Sequence, residues 1–200
     1  CKYHSRVNGH VKQCYVYTPP GYAKAEKKKY PVLYLQHGVG ENETGWIWQG
    51  KLNFIMDNLL ADKQCEEMLI VMSSGYAFQE KEYPVFYPGD FDKELTDDII
   101  PYIENNFRVK RGRNNRAMAG LSLGSAQATD SVAKHMELFS AIGVFSGVAI
   151  HEMDRICESP LPLEVIFMSC GNKEKEILAG IQQIEKRMCQ AGNMSVSHVY

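Results

Sequence analysis

Long apolar runs are what this sequence most plainly lacks. No stretch approaches the roughly 18 consecutive apolar residues of a membrane-spanning helix, and the first residues carry no basic-then-apolar leader, so neither a span nor a signal peptide is expected. Charge of one sign is also scarce. Lysine and arginine number 22 against 24 acidic residues, a formal net charge of -2, which gives no footing for a nucleic acid or an anionic membrane as partner. There is no CxxC pair, and "HEMDR" at 151–155 lacks the second histidine of a helical zinc motif, so no metal site is expected. The cysteines, Cys1, Cys14, Cys65, Cys157, Cys170 and Cys189, are spaced widely and irregularly. That reads as free, mostly buried thiols rather than a disulfide framework. Internal repeats, low-complexity tracts and long linkers are absent too.

What is present is one domain's worth of ordinary globular chain. Its 200 residues are 44% hydrophobic and 23% charged, enough to bury a sizeable core. Short apolar runs stopped by glycine or polar residues read as buried strands: "PVLYLQHG", "EMLIVMSS", "NNRAMAG", "FSAIGVFSG", "LEVIFMSCG" and the alternating "SVSHVY". Between them lie segments of helical period. "KLNFIMDNLLADKQC" places Phe54, Ile55, Asn58 and Leu59 on one face. "FDKELTDDIIPYIENNF" does the same with Phe91, Leu95, Ile99, Tyr102, Ile103 and Phe107, and Pro101 is placed to kink it. "KEKEILAGIQQIEKRMCQAG" repeats the pattern at Ile177, Ile181, Ile184 and Met188, with Gly192 as the expected C-cap. The lysine run before Tyr30 reads as a solvated loop. Strand and helix alternate, which predicts an α/β protein with a mostly parallel sheet and helices on both faces.

One stretch carries chemistry. "AGLSLGSAQ" sets Gly120 and Gly124 two residues either side of Ser122, between a predicted strand and a helix of small residues. In G-x-S-x-G at such a junction the serine occupies a sharp, strained turn, and side chains two positions away would collide. The turn lifts the hydroxyl above the sheet edge and sets it at a helix N-terminus, where negative charge is favoured. The competing reading is an ordinary tight strand-to-helix turn. A nucleophilic serine also needs an oxyanion hole. The Leu123 N–H, directly after it, is one expected donor, and the loop "YLQHGVGEN" is placed to offer Val39 N–H as the second. The plainer reading of that loop is a glycine-rich turn, and His37 is expected to brace it rather than act as a base.

Taken together, "VYTPPGY", "PVLYLQHGVGENETGW", "IPYIENNFRV", "NRAMAGLSLGSAQA" and "ELFSAIGVFSG" resemble the α/β-hydrolase esterases that include feruloyl and acetyl xylan esterases (carbohydrate esterase family one), esterase D-like enzymes and enterochelin esterases. The resemblance runs through nearly the whole chain in order. It implies Ser122 as nucleophile, Val39 and Leu123 as the oxyanion hole, and Gly40 with Trp46 beside the substrate. Trp48, Tyr76, Phe78 and Phe86 are further aromatics in or near loops that could line an acyl or sugar pocket. The family's acid is an aspartate three residues past a glycine, a position held here by Glu174, whose extra methylene asks for a different loop. Otherwise Glu174 is a first-turn acidic residue, and Glu176 is a weaker competitor. Ser125 stands where the family has a second glycine.

The family's histidine follows the last strand, and Tyr200 precedes that loop, so the resemblance leads to the expectation of a domain truncated before its base. His198 lies too early in the strand, and His135 and His151 lie where the family places no catalytic group. The implied activity is two-step ester hydrolysis without metal or organic cofactor, on feruloyl or acetyl esters of plant polysaccharide such as xylan. Such an enzyme is expected to be secreted or periplasmic, with a cytoplasmic location as the alternative. An acyltransferase, or a carbohydrate-binding or scaffold domain with a decayed site, are the rival functions.

Overall fold

A computed structural model describes residues 1–77, 89–190 and 196–200. Two compact units share the chain: Cys1–Leu33 with Glu41–Arg111, and Tyr34–Gly40 with Gly112–Tyr200.

In the first unit, β1 (Lys2–Ser5) and β2 (His10–Tyr17) form an antiparallel hairpin, pairing Lys2 with Gln13 and Ser5 with His10. Strand β3 (Val32–Gln36) begins in this unit, and its Tyr34–Gln36 belong to the second. Strand β4 (Leu69–Ser73), buried throughout, pairs antiparallel with β2. Helices α1 (Gly45–Trp48) and α2 (Leu52–Ala61) follow the glycine-rich loop. The predicted face of α2 is overturned. Phe54 and Ile55 are exposed, and Met56 is the residue it buries. A helix of ten residues has only a few apolar positions, so more than one stripe satisfies a 3.6 period and packing selects among them.

The expected helix over 91–107 is a composite. Asp90 caps α3 (Phe91–Glu94) by accepting from Lys93 N–H. A π-helical turn (Leu95–Ile99) then leads into α4 (Ile100–Asn106). Pro101 supplies no N–H to the helical ladder and its ring needs room against the preceding turn, which the wider π turn provides. Phe91, Leu95, Ile99, Ile100 and Ile103 are buried, close to the predicted stripe. Two acidic residues are buried with them. Glu94 accepts from Tyr3 Oη at 2.9 Å and Lys12 Nζ at 2.7 Å. Asp98 takes the Arg6 backbone N–H at 2.8 Å and its Nε at 2.6 Å. Burial drives the Tyr3 phenol far above its ordinary range, with the Glu94 charge adding to it.

The second unit carries the parallel part of the fold. Strands β5 (Arg116–Leu121), β6 (Ala141–Phe145), β7 (Val165–Cys170) and β8 (Val196–Val199) lie side by side in that order, all parallel, with the end of β3 beside β5. Helix α5 (Leu123–Lys134) packs on β5 and β6, α6 (Ile150–Cys157) on α5, and α7 (Lys175–Gln190) on α6 and β7. The buried face of α5 is Gly124, Ser125, Gln127, Ala128, Thr129, Ser131 and Val132. Gln127 apart, these are small side chains, which let the helix approach the strands closely. In α7, Ile181, Ile184 and Met188 are buried as predicted, while Gly192 lies outside the described residues. The described thiols are free, but only Cys14 and Cys170 are buried, so the expectation of mostly buried cysteines holds for those two alone.

Candidate active site

Ser122 stands alone between β5 and α5 with φ 53° and ψ −110°, outside the regions ordinary residues favour. Its side chain is exposed. Its N–H donates to the Phe145 carbonyl of β6 at 2.8 Å. Its carbonyl accepts from Ser125 N–H at 3.0 Å, from Ala126 N–H at 3.2 Å, and from Ser125 Oγ at 2.7 Å. The two glycines have a steric origin. A Cβ on Gly120 would stand 2.1 Å from the Gly124 carbonyl oxygen, and one on Gly124 would stand 2.7 Å from the carbonyl oxygens of both Gln36 and His37. Side chains are therefore excluded at both positions by backbone, which cannot move aside. Ser125 finds its room elsewhere: Gly147 faces it, and a Cβ there would fall 2.1 Å from Ser125 Oγ.

The loop after β3 belongs to the same unit. His37 is buried, and its Nδ1 lies 2.7 Å from the Gly38 carbonyl, which can only accept, so the proton is assigned to Nδ1. That contact makes His37 a brace for the loop, as expected. Val39 and Gly40 are exposed, and Gly40 has φ 78°, a left-handed turn that suits glycine. Leu123 opens α5, where the first backbone N–H groups have no acceptor within the helix.

Glu174 closes the turn after β7. Its N–H donates to the Gly171 carbonyl at 3.0 Å, and its own carbonyl accepts from Leu178 N–H at 2.9 Å as α7 begins. Its carboxylate folds back rather than pointing along the helix. Oε2 takes the Gly171 N–H at 2.7 Å and Ser146 Oγ–H at 2.9 Å. The loop is held from β8 as well: Asn172 N–H donates to the Tyr200 carbonyl at 2.7 Å, and Tyr200 N–H to that of Cys170 at 3.2 Å. The Cys170 thiol is raised above its ordinary value by burial, and next by the Glu174 charge. Glu176 is an exposed residue of the first turn of α7.

Ser146 is the residue that reading the sequence missed. It sits just past β6 with φ 46° and donates its N–H to the Ser169 carbonyl at 2.7 Å. The glycine after the strand, in "VFSG", marked a turn but not a serine with positive φ.

The imidazoles are dispersed. His135 follows α5, His151 lies in α6, and His198 is exposed on β8, opposite Ser169 in register and stacked on Tyr200. Among the described residues nothing hydrogen-bonds the Ser122 hydroxyl. Trp46 lies half-buried in α1 of the first unit, where Trp48 is 65% exposed and Tyr76 half-buried. Phe78 and Phe86 lie outside the described residues. Among the described residues there is no cluster of metal-ligating side chains and no helix long and apolar enough to cross a membrane.

A family described as "Putative esterase" matches residues 5–154, three quarters of the chain. The chain belongs to this family of esterases. A relative from Xylanibacter ruminicola, named an endo-1,4-beta-xylanase/feruloyl esterase, is 41% identical over 175 residues. The match takes in 85% of this chain and 24% of that protein, so the esterase chain spans about a quarter of its relative's length. Endo-1,4-beta-xylanase Y of Acetivibrio thermocellus is 29% identical over 134 residues, 59% of this chain and 11% of that protein. Among solved structures, a ferulic acid esterase superimposes with a TM-score of 0.82 at 24% identity, covering 100% of this chain and 88% of that one. The carbohydrate esterase family one ferulic acid esterase of Anaeromyces mucronatus gives 0.78 at 24% identity, covering 100% and 80%. At these identities the likeness is one of fold, and the fold is the α/β-hydrolase esterase fold.

Proposed function

We propose that this esterase is a serine carboxylic ester hydrolase working through an acyl-enzyme, with feruloyl or acetyl esters of xylan as its substrates. The observation that carries the reading is the exposed Ser122 at φ 53°, on a turn that admits no side chain at Gly120 or Gly124. A strained, solvent-facing serine costs stability and is kept where its hydroxyl has work to do. The naming of the 41% identical relative as a xylanase/feruloyl esterase supports the choice of acyl group and polysaccharide. Export from the cell fits a polysaccharide substrate.

In the first step a general base takes the Ser122 proton while Oγ attacks the ester carbonyl, and the alcohol leaves. The tetrahedral oxyanion is received by the Leu123 and Val39 N–H groups, aided by the N-terminal dipole of α5. Water, activated by the same base, then attacks the acyl-enzyme and releases the acid. Glu174 orients the imidazole that serves as base, through the carboxylate oxygen that Gly171 and Ser146 leave free. Gly40 and Trp46 are assigned to the substrate side. A carbohydrate-binding domain without turnover is the second reading, favoured by the lack, among the described residues, of an imidazole on Ser122.

Labelling with a fluorophosphonate, read by intact mass, decides between them. The expected result is one adduct on the wild type and none on Ser122→Ala. Loss of the adduct in His198→Ala would assign the base to His198. A folded chain that takes no adduct shows that no base acts on Ser122 within these 200 residues. The same labelling of the full-length protein then separates the hydrolase from the binding domain. Release of ferulate or acetate from substituted xylan oligosaccharides then identifies the acyl group.

A further inference from the structure

Three consecutive residues at the end of β6, Phe145 to Gly147, touch the nucleophile's turn and the candidate acid. The Phe145 carbonyl receives the Ser122 N–H at 2.8 Å. Ser146 Oγ–H donates to Glu174 Oε2 at 2.9 Å. Gly147 lies against the Ser122 carbonyl oxygen, which a Cβ at that glycine would meet at 3.2 Å. A displacement of this segment is therefore felt by Ser122 and by Glu174 together.

Ser146 pays for its place. Its φ of 46° is a conformation that glycine or asparagine adopts at lower cost, and serine gains nothing from it in backbone terms. What serine contributes is the hydroxyl. The Ser146 O–H and the Gly171 N–H both donate to Oε2, and among the described residues Oε1 has no hydrogen-bond partner. The carboxylate is thus held by one oxygen with the other left to accept. A capping-box glutamate makes the Gly171 contact too, since it reaches back three residues to a backbone N–H. What a cap does not explain is the Ser146 hydroxyl, which reaches Oε2 from the end of β6 at 2.9 Å.

We infer that Ser146 is a positioning residue, which fixes the Glu174 carboxylate by Oε2 and leaves Oε1 to orient the base. The inference rests on the reading of Glu174 as the acid of a serine hydrolase. Ser146 Oγ also lies 3.5 Å from Tyr200 Oη, and its proposed effect on catalysis runs through Glu174.

The test measures kcat, KM and Tm with p-nitrophenyl acetate for the wild type, Ser146→Gly, Ser146→Ala, Ser146→Asn, Glu174→Ala and the double variant Ser146→Gly/Glu174→Ala. Glycine relieves the positive φ and removes the donor, so Ser146→Gly should keep or raise Tm while kcat falls tenfold to a hundredfold and KM stays within twofold. Ser146→Ala should lose as much kcat at a lower Tm than Ser146→Gly. Asparagine tolerates the backbone and offers an N–H donor, so Ser146→Asn should recover most of kcat. In the Glu174→Ala background, removing the Ser146 hydroxyl should change kcat little further. Unchanged kcat in Ser146→Gly, or a loss that multiplies with that of Glu174→Ala, overturns the inference and leaves the hydrolase standing. A full-length protein with neither turnover nor a Ser122 adduct overturns the hydrolase reading, and this inference with it.

Discussion

At the scale of single residues, the turn around Ser122 combines two costs of opposite kind. Gly124 has no room for a Cβ because the Gln36 and His37 carbonyl oxygens would lie 2.7 Å from it, and both belong to backbone. Gly124→Ala should therefore destabilise by about 2–3 kcal/mol or more, as overpacking against an unyielding wall does, and should also displace the loop that carries Val39. Ser122 is the reverse case: its backbone is strained and its side chain is free. Ser122→Gly should raise stability by about 0.5–1 kcal/mol while abolishing the phosphonate adduct. Urea midpoints on the two variants check both signs, and a Gly124→Ala protein as stable as wild type would remove the steric account. These glycines were legible in the sequence because the pattern has a local cause. Ser146 was not, since its partner Glu174 is brought to it by the pairing of β6 with β7 and not by any spacing in the chain.

At the scale of elements, strands were read more surely than helix faces. The strand at "LIVMS" is an unbroken apolar run and forms β4, buried at every position, because a strand covered on both sides needs no alternation. The N-terminal hairpin β1–β2 was not read, since its strands mix exposed and buried positions and its turn is rich in polar residues. Helix α2 shows why faces fail. Its sequence offered Phe54 and Ile55, yet these are 62% and 51% exposed while Met56 is 7% exposed. Met56→Ala should cost about 2–3 kcal/mol and Phe54→Ala no more than about 0.5 kcal/mol, measured as the shift in denaturant midpoint. A larger cost at Phe54 than at Met56 would return the helix to the face its periodicity suggested. Pro101 was read as a kink, and its consequence is a π turn before it, a detail fixed by the ring and the buried residues on either side.

For the whole molecule, ionisation sets an alkaline limit. Burial pushes the Cys14 thiol from 9.0 up to about 11, and it raises the Tyr3 and Tyr17 phenols in the same direction. For each, the folded state holds its proton more tightly than the unfolded chain. Stability is then fully present below pH 9 and is lost as pH rises through the folded values. Lys12 runs the other way, since burial lowers its ammonium while Glu94 opposes that shift. The thiol alone corresponds to roughly 2–3 kcal/mol at the alkaline end. Urea midpoints should fall between pH 8 and pH 11, and Cys14→Ala should show a shallower fall, whereas an unchanged slope would assign the limit to the phenols. What the sequence determined by itself was whatever short-range sterics and periodicity dictate: the alternation of strand and helix, the elbow between Gly120 and Gly124, and the motif order of an esterase. The tertiary structure alone decided which stripe of α2 is covered, where Ser125 finds room, and how Glu174 is held. Each of those depends on atoms far apart in the chain, and local propensity carries no information about which of them will meet.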